Sequence, residues 1–457
     1  MPRQQRLAMV VALSISGAAL PGPPIALGDS PNRHSTESLA RRALAAHKDE
    51  AASAIAELRS MGPEGLRAFL EANRSEIEVA LNTPRDTRNG DSPDQARPAQ
   101  DNQVLSALDS ICQQKDCYAS RLYWYTDFEQ AKSAARAQGK PILSLRLLGR
   151  LDEDLSCANS RFFRITLYAN EQVSNLLRDR FVLHWQSVRP VPRLTIDFGD
   201  GRKMERTLTG NSIHYVLDSE GRLIDALPGL YGPGAFLREL VRASSVVATL
   251  EQLETDEARN GALRRYHDSR PSELENAWVT DVKRAGLRAA PSREIPRPAG
   301  PDSSPPRAQT AAAGAVAKAA MVERPILRGM SDIPKSLDAI GSDPAWSMIA
   351  GLHAEDATLD QRTRALMLFK NPSLSGAALQ TAITALERSI AEDTVRNEYV
   401  FRARILRWLA SGAAGSDVAS LNEKIYAELF LTPSWDAWLG LRPAGAYSGI
   451  DNDGVRR

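Results

Sequence analysis

Cysteine and histidine are scarce in this 457-residue chain. There are three cysteines, Cys112, Cys117 and Cys157, and six histidines, His34, His47, His184, His214, His267 and His353. The histidines are scattered, with no HxxxH pair and no Cys/His cluster, so no metal site is expected. A Gly-rich phosphate loop and a nucleophile elbow are also missing, and no cofactor is expected. The net charge is only +1, and no basic stripe carries interleaved aromatics, which argues against a nucleic-acid partner. Apart from the first twenty residues, no stretch is apolar enough to cross a bilayer.

At 43% hydrophobic and 25% charged residues, the chain has a globular composition and enough length for two or three domains. Arg3 and Arg6 precede an apolar run, Leu7 to Leu20, followed by small residues around Ala26-Leu27-Gly28. This predicts a signal peptide over 1–28, with an uncleaved N-terminal anchor as the alternative. The protein is then exported, periplasmic or extracellular, with other exported proteins as partners. In an oxidising compartment three cysteines allow one bridge and one leftover thiol. "CQQKDC" makes Cys112–Cys117 the local pairing, and Cys117–Cys157 is the alternative.

Residues 29–104 read as a helical N-terminal segment followed by a polar linker from Thr83 to Gln103. From 105 to 245 the rhythm changes. "TDFEQAKSAARAQGK" predicts a helix opened by Asp127 and closed by Gly139, and "PILSLRLL" a strand. "NEQVSNLLRDR" is helical and "FVLHWQSV" a strand, which puts His184 and Trp185 in strand packing. "RLTIDFGDGRKMERTLTG" and "SIHYVLDSEGRLIDAL" read as hairpins turning at Asp200-Gly201 and Glu220-Gly221, and "GPGAFLRELVRASSVVATLEQL" is a closing helix. A helical extension over 246–286 precedes a Pro/Ala-rich stretch, 287–320, expected to be a disordered linker. Residues 321–457 form a helical domain with Leu366, Phe369, Ile383, Leu386, Ile405, Trp408 and Leu429 in its core. "TPSWDAWLGL" is expected to tuck back on that bundle.

The middle segment resembles the thioredoxin-like family over about 120 to 242. The likeness rests on the Gly139-Lys140-Pro141 step into the central strand, on "NEQVSNLLRDRFVLHW", and on "YVLDSEGRLIDALPGLYGPGAFLREL", in which Asp218, Gly221, Gly229 and Phe236 fall in place. It implies an α/β thioredoxin-like central domain, a mixed sheet flanked by helices, between a helical N-terminal segment and a mostly α-helical C-terminal domain. Two departures stand out. The turn after the central strand, "GRLDEDLSCANS", carries Cys157 alone where redox members of the family carry Cys-x-x-Cys. Asn211-Ser212 stands where they carry a cis-proline.

Cys157 is therefore the candidate reactive residue. A helix N-terminus would favour its thiolate, Arg161 would share its face and His214 could pair with it. Asp152, Glu153 and Asp154 oppose a thiolate. Two expectations follow. The favoured one is a non-catalytic binding or assembly module that has lost the dithiol site. The alternative is a thiol–disulfide oxidoreductase or isomerase using Cys157, with Cys112 or Cys117 as a distant resolving thiol.

Overall fold

The computed structural model describes residues 31–83, 99–295, 306–312, 314–318, 322–323, 326, 343–372, 374–413, 417–442 and 449–455. The predicted signal peptide lies outside the described residues. Among those described, no helix is long and apolar enough to cross a membrane.

Four helices open the described chain, α1 (Pro31–Arg42), α2 (Lys48–Ser60), α3 (Pro63–Ala72) and α4 (Arg74–Asn82). They pack with α5 (Ala99–Cys112), whose Val104, Leu108 and Ile111 are buried among Leu58, Phe69 and Ile77. Helix α5 begins inside the expected Thr83–Gln103 linker and runs across the boundary expected at 104/105. Its apolar side chains belong to the N-terminal core. A short helix, α6 (Cys117–Ser120), leads to the sheet.

The sheet is mixed and five-stranded. Its strands are β1 (Trp124–Tyr125), β2 (Ile142–Leu148), β3 (Val182–Arg189), β6 (Ser212–Leu217) and β7 (Leu223–Pro228), in the order β1-β3-β2-β6-β7. β1 and β2 run parallel to β3, while β6 runs antiparallel to β2 and β7. Every residue of β2 is buried, as a strand covered by helices on both faces must be.

Local chemistry sets the flanking helices. In α7 (Phe128–Gln138) the Asp127 carboxylate accepts the Gln130 N–H at 2.8 Å, and Gly139 ends the helix at φ 59°. That left-handed geometry favours glycine. Asn170 caps α9 (Glu171–Arg180) in the same way as Asp127 caps α7. Between them, α8 (Ala158–Phe162) continues as a π-helix, Phe163–Tyr168. Strands β4 (Arg193–Asp197) and β5 (Lys203–Thr207) form a separate antiparallel ribbon between β3 and β6.

After α10 (Pro233–Glu251) and α11 (Asp256–Arg284), part of the expected linker is folded and buried. It forms α12 (Ala308–Ala312) and α13 (Val316–Lys318), with Ala308, Ala317 and Lys318 each at most 1% exposed. Alanine packs closely where it has a partner surface, and composition alone does not reveal that surface. The C-terminal helices are α14 (Pro344–Gly351), α15 (Gln361–Lys370), α16 (Gly376–Arg396), a π-helix Asn397–Arg402, α17 (Ala403–Ser411) and α18 (Val418–Glu428). They share one continuous core with the sheet, which runs from Leu122 and Leu145 through Ile224 to Ile390, Leu406 and Ile425. Phe369 is half-buried, and the other apolar residues expected in the C-terminal core are buried.

A buried ion cluster fastens that joint. Arg402 is 0% exposed. It meets Asp225 of β7 at 2.6 Å, Glu239 of α10 at 2.8 Å and Glu398 at 2.8 Å. Removing one member of such a group strands the others without a counter-charge. Arg402→Met is expected to lower stability by about 3–5 kcal/mol in urea denaturation. The added change Asp225→Asn is expected to recover part of the loss.

Candidate functional site

Strand β2 ends at Gly149, where φ is 75°, and the chain turns through 150–156 into α8. The carboxylates of this turn are paired away from the sulfur. Asp152 meets Arg150 at 2.6 Å, Glu153 meets Arg193 at 2.5 Å and Asp154 meets Lys370 at 3.5 Å. Arg164, itself buried, donates to the carbonyls of Leu151, Glu153 and Asp154 and holds the turn in shape. Cys157 is the N-cap of α8, and its carbonyl accepts the Arg161 N–H at 3.1 Å.

The Cys157 side chain is 0% exposed. Its Sγ lies 3.1 Å from Ser212 Oγ and 3.4 Å from Ser160 Oγ. Gly210 covers the β-carbon so closely that a Cβ there would sit 2.3 Å from it. Polar side chains are thus gathered around one sulfur: Ser160 beside it, Ser212 opposite, and Asn159 3.5 Å from the Asn211 side chain.

The loop before β6 is engaged by the chain itself. Lys318 Nζ donates to the Gly210 carbonyl at 2.9 Å and to Asn211 Oδ1 at 3.2 Å, and it pairs with Glu323 at 3.4 Å. Tyr426 Oη donates to the Asn211 carbonyl at 2.9 Å. Sequence reasoning missed Lys318, Glu323 and Tyr426. The available signal was "AAAGAVAKAA", whose small side chains suit a close-packed strap as well as a flexible tether.

Arg161 and His214 lie near Cys157 in the fold but bond elsewhere. Arg161 Nη2 donates to Thr207 Oγ1 at 3.1 Å. Burial lowers its pKa, opposed by the charge of Cys157 in its thiolate form and by Glu323. His214 Nε2 lies 2.7 Å from Tyr168 Oη, and its ring packs 4.6 Å from Phe163 and 5.0 Å from Phe236. Among the described residues its Nδ1 has no hydrogen-bond partner, so no Cys–His hydrogen bond forms. Desolvation drives the His214 pKa down to about 3, which keeps the imidazole neutral at physiological pH.

Cys112 and Cys117 are disulfide-bonded, with their Cα atoms 6.2 Å apart, and Cys157 is the free cysteine. The loop they close does reach the Cys157 turn. Lys115 N donates to the Leu151 carbonyl at 3.1 Å, and Lys370 links Asp116 to Asp154. The bonded sulfurs, however, are buried in the N-terminal core, while Cys157 belongs to the core around the sheet. His184 is buried and lies 2.8 Å from Ser144 Oγ, and Trp185 is buried beside it in β3. Among the described residues no group of three or more His, Cys, Asp or Glu is placed to hold a metal ion. No protein family, no curated protein and no solved structure matches this chain.

A neutral His214 has a pH signature. Its folded pKa of about 3 lies below the ordinary value of 6.5, so below pH 6.5 the unfolded chain takes up a proton that the folded chain refuses. This stability is full above pH 6.5 and is lost as pH falls toward 3. Relative to His214→Phe, the wild type is expected to lose about 1.4 kcal/mol per pH unit between pH 6 and 4 in parallel urea titrations. The comparison cancels the opposite contribution of Asp393, a buried acid whose pKa is raised to about 7.

Proposed function

We propose that this is an exported protein built on a thioredoxin-like central domain that has lost its dithiol chemistry and serves as a non-catalytic binding or assembly module. The scaffold reading is supported by the strand order β1-β3-β2-β6-β7, with two parallel steps followed by two antiparallel ones. It is supported too by the position of Cys157 at the turn from the central strand into a helix. Export is supported by the N-terminal charge and apolar pattern, and by a structural disulfide of the kind that persists in oxidising compartments.

One observation carries the loss of chemistry. The single free thiol is 0% exposed and has no second sulfur to resolve it. Thiol–disulfide exchange begins with a thiolate attacking a disulfide sulfur and ends with a second thiol releasing the mixed disulfide. Here Gly210 and the Lys318 strap close the approach, and the other two cysteines are bonded to each other. The hydroxyls of Ser160 and Ser212 lie against a buried thiol that fills space as a small apolar group. Exported proteins are the partners that fit this reading.

The test is insulin reduction together with iodoacetamide labelling of the unreduced protein. No reductase turnover is expected from wild type or Cys157→Ser. One alkylated cysteine is expected in guanidinium and none under native conditions. Turnover in wild type that disappears in Cys157→Ser would overturn the proposal and favour a redox enzyme working through Cys157.

A further inference from the structure

Strand β2 buries a guanidinium that no carboxylate of the described residues neutralises. Arg146 is 9% exposed and stands between Leu145 and Leu147 in a strand buried along its length. Its Nη1 donates to Ser144 Oγ at 2.9 Å and lies 3.3 Å from His184 Nδ1. Both of these neighbours are neutral. One is a hydroxyl, and burial together with the Arg146 charge holds the His184 pKa down at about 3. Burial also lowers the Arg146 pKa, and the groups that oppose it are the phenols of Tyr215 and Tyr426. Those phenols stay neutral too, because burial raises their own pKa values. An ion without a counter-charge is costly to bury. Arg270, Arg396 and Arg402 are as deeply buried, and each of them meets at least one carboxylate.

The free side of this guanidinium has a definite shape. Nε–H and one Nη2–H project in parallel from one edge of the planar group, and neither nitrogen bonds to the described residues. Both keep some accessible surface, whereas Arg164 Nε and Arg270 Nε are sealed. Gln186 stands directly across from Arg146 in β3 and is exposed, so the sheet face opens at this point. Side chains alternate along a strand. Leu147, the next residue, pairs with Ser212, which touches Cys157. Arg146 and Cys157 therefore lie on opposite faces of the sheet.

The surroundings favour a ligand with one negative charge. Tyr215 Oη donates to Asn422 Oδ1 at 3.1 Å, which leaves the Asn422 amide N–H groups without a partner among the described residues. Arg189, opposite Leu148 in β3, is spent on the carbonyls of Thr432, Pro433 and Asp436. One free cation flanked by a neutral amide suits a carboxylate, whose two oxygens lie along the Nε–Nη2 edge. A phosphate dianion would bring a second charge with no cation to meet it.

We propose that Arg146 seats a carboxylate ligand on its Nε–Nη2 edge, at the opening beside Gln186, with Asn422 as the flanking donor. A small free acid and the C-terminus of a polypeptide both bring this group. The site stands whether or not Cys157 reacts. The test follows arginine Nε–H signals by NMR in the isotope-labelled full-length protein at constant ionic strength. The probes are acetate, inorganic phosphate, acetyl-trialanine and the C-terminal amide of that peptide. The signal missing from Arg146→Gln is expected to move saturably with acetate and acetyl-trialanine and to stay in place with the amide. Gln186→Glu supplies an internal carboxylate from an exposed position, and it is expected to weaken both ligands by about tenfold or more. Should Arg146→Gln fail to fold, Gln186→Glu identifies the same signal by shifting it in the free protein. Tighter binding of acetyl-trialanine than of acetate supports the site and assigns it to a chain terminus. Equal or weaker binding supports it and assigns it to a small acid. A signal that neither carboxylate moves, equal movement with the free and amidated peptides, preference for phosphate, or full affinity in Gln186→Glu overturns the proposal.

Discussion

Arg402 carries a permanent positive charge into a region closed to water, and three carboxylates from separate elements converge on it there. Asp225 comes from the last strand, Glu239 from the helix that follows it, and Glu398 from one turn earlier on its own helix. None of these charges would be tolerated alone, because desolvation of an unpaired ion costs several kcal/mol. Together they make the docking of the C-terminal helices on the sheet specific. A helix shifted by one turn would strand Asp225, and the apolar contacts around it have no such directional demand. Asp225 stays ionised despite full burial, its pKa lowered by Arg402 against the pull of desolvation. Tyr266 donates a further hydrogen bond to it at 2.7 Å.

That joint explains why the Cys157 turn is covered. With the bundle fixed against β6 and β7, Tyr426 and Tyr215 reach across to Asn211 and Asn422. The alanine-rich strap lies between, with Asp393 accepting the N–H groups of Val316 and Ala317 at the start of α13. The loop before β6 is gripped by Lys318. The thiol beneath it behaves as core, and His214, two residues beyond Ser212, behaves as a neutral aromatic ring among Phe163, Tyr168 and Phe236.

Local signals made the sheet region legible. Asp127 and Gly139 bracket a helix by chemistry that needs no distant partner, and Asp200-Gly201 and Glu220-Gly221 mark turns whose flanking strands do pair. The apolar run "PILSLRLL" declared a strand, and β2 is buried along its whole length. Where the sequence misled, distant contacts decided the outcome. Ala308, Ala312 and Ala317 look featureless until Leu208 and the C-terminal helices lie against them. Lys318 reads as a solvated charge until the Gly210 carbonyl and Glu323 surround it. Helix α5 follows a polar stretch, and the N-terminal core claims it through Val104, Leu108 and Ile111. The π-helices left no periodic trace, since one extra residue in a turn looks like ordinary helical scatter. Glu239 and Glu398, 159 positions apart, meet only through the fold.

The β4–β5 ribbon stands outside the main sheet, and among the described residues each of its strands leaves one side without a neighbour. Free strand sides invite another chain to add on, which is how ordered fibrils start. The side chains alternate against this. Arg193, Thr195 and Asp197 on one strand and Lys203 and Glu205 on the other point to water, while Leu194, Ile196 and Met204 are half-buried. A second copy approaching the ribbon would have to strip water from charged groups of both signs before its backbone could pair. The ribbon can therefore extend from the molecule at high concentration without seeding a stack of its own kind.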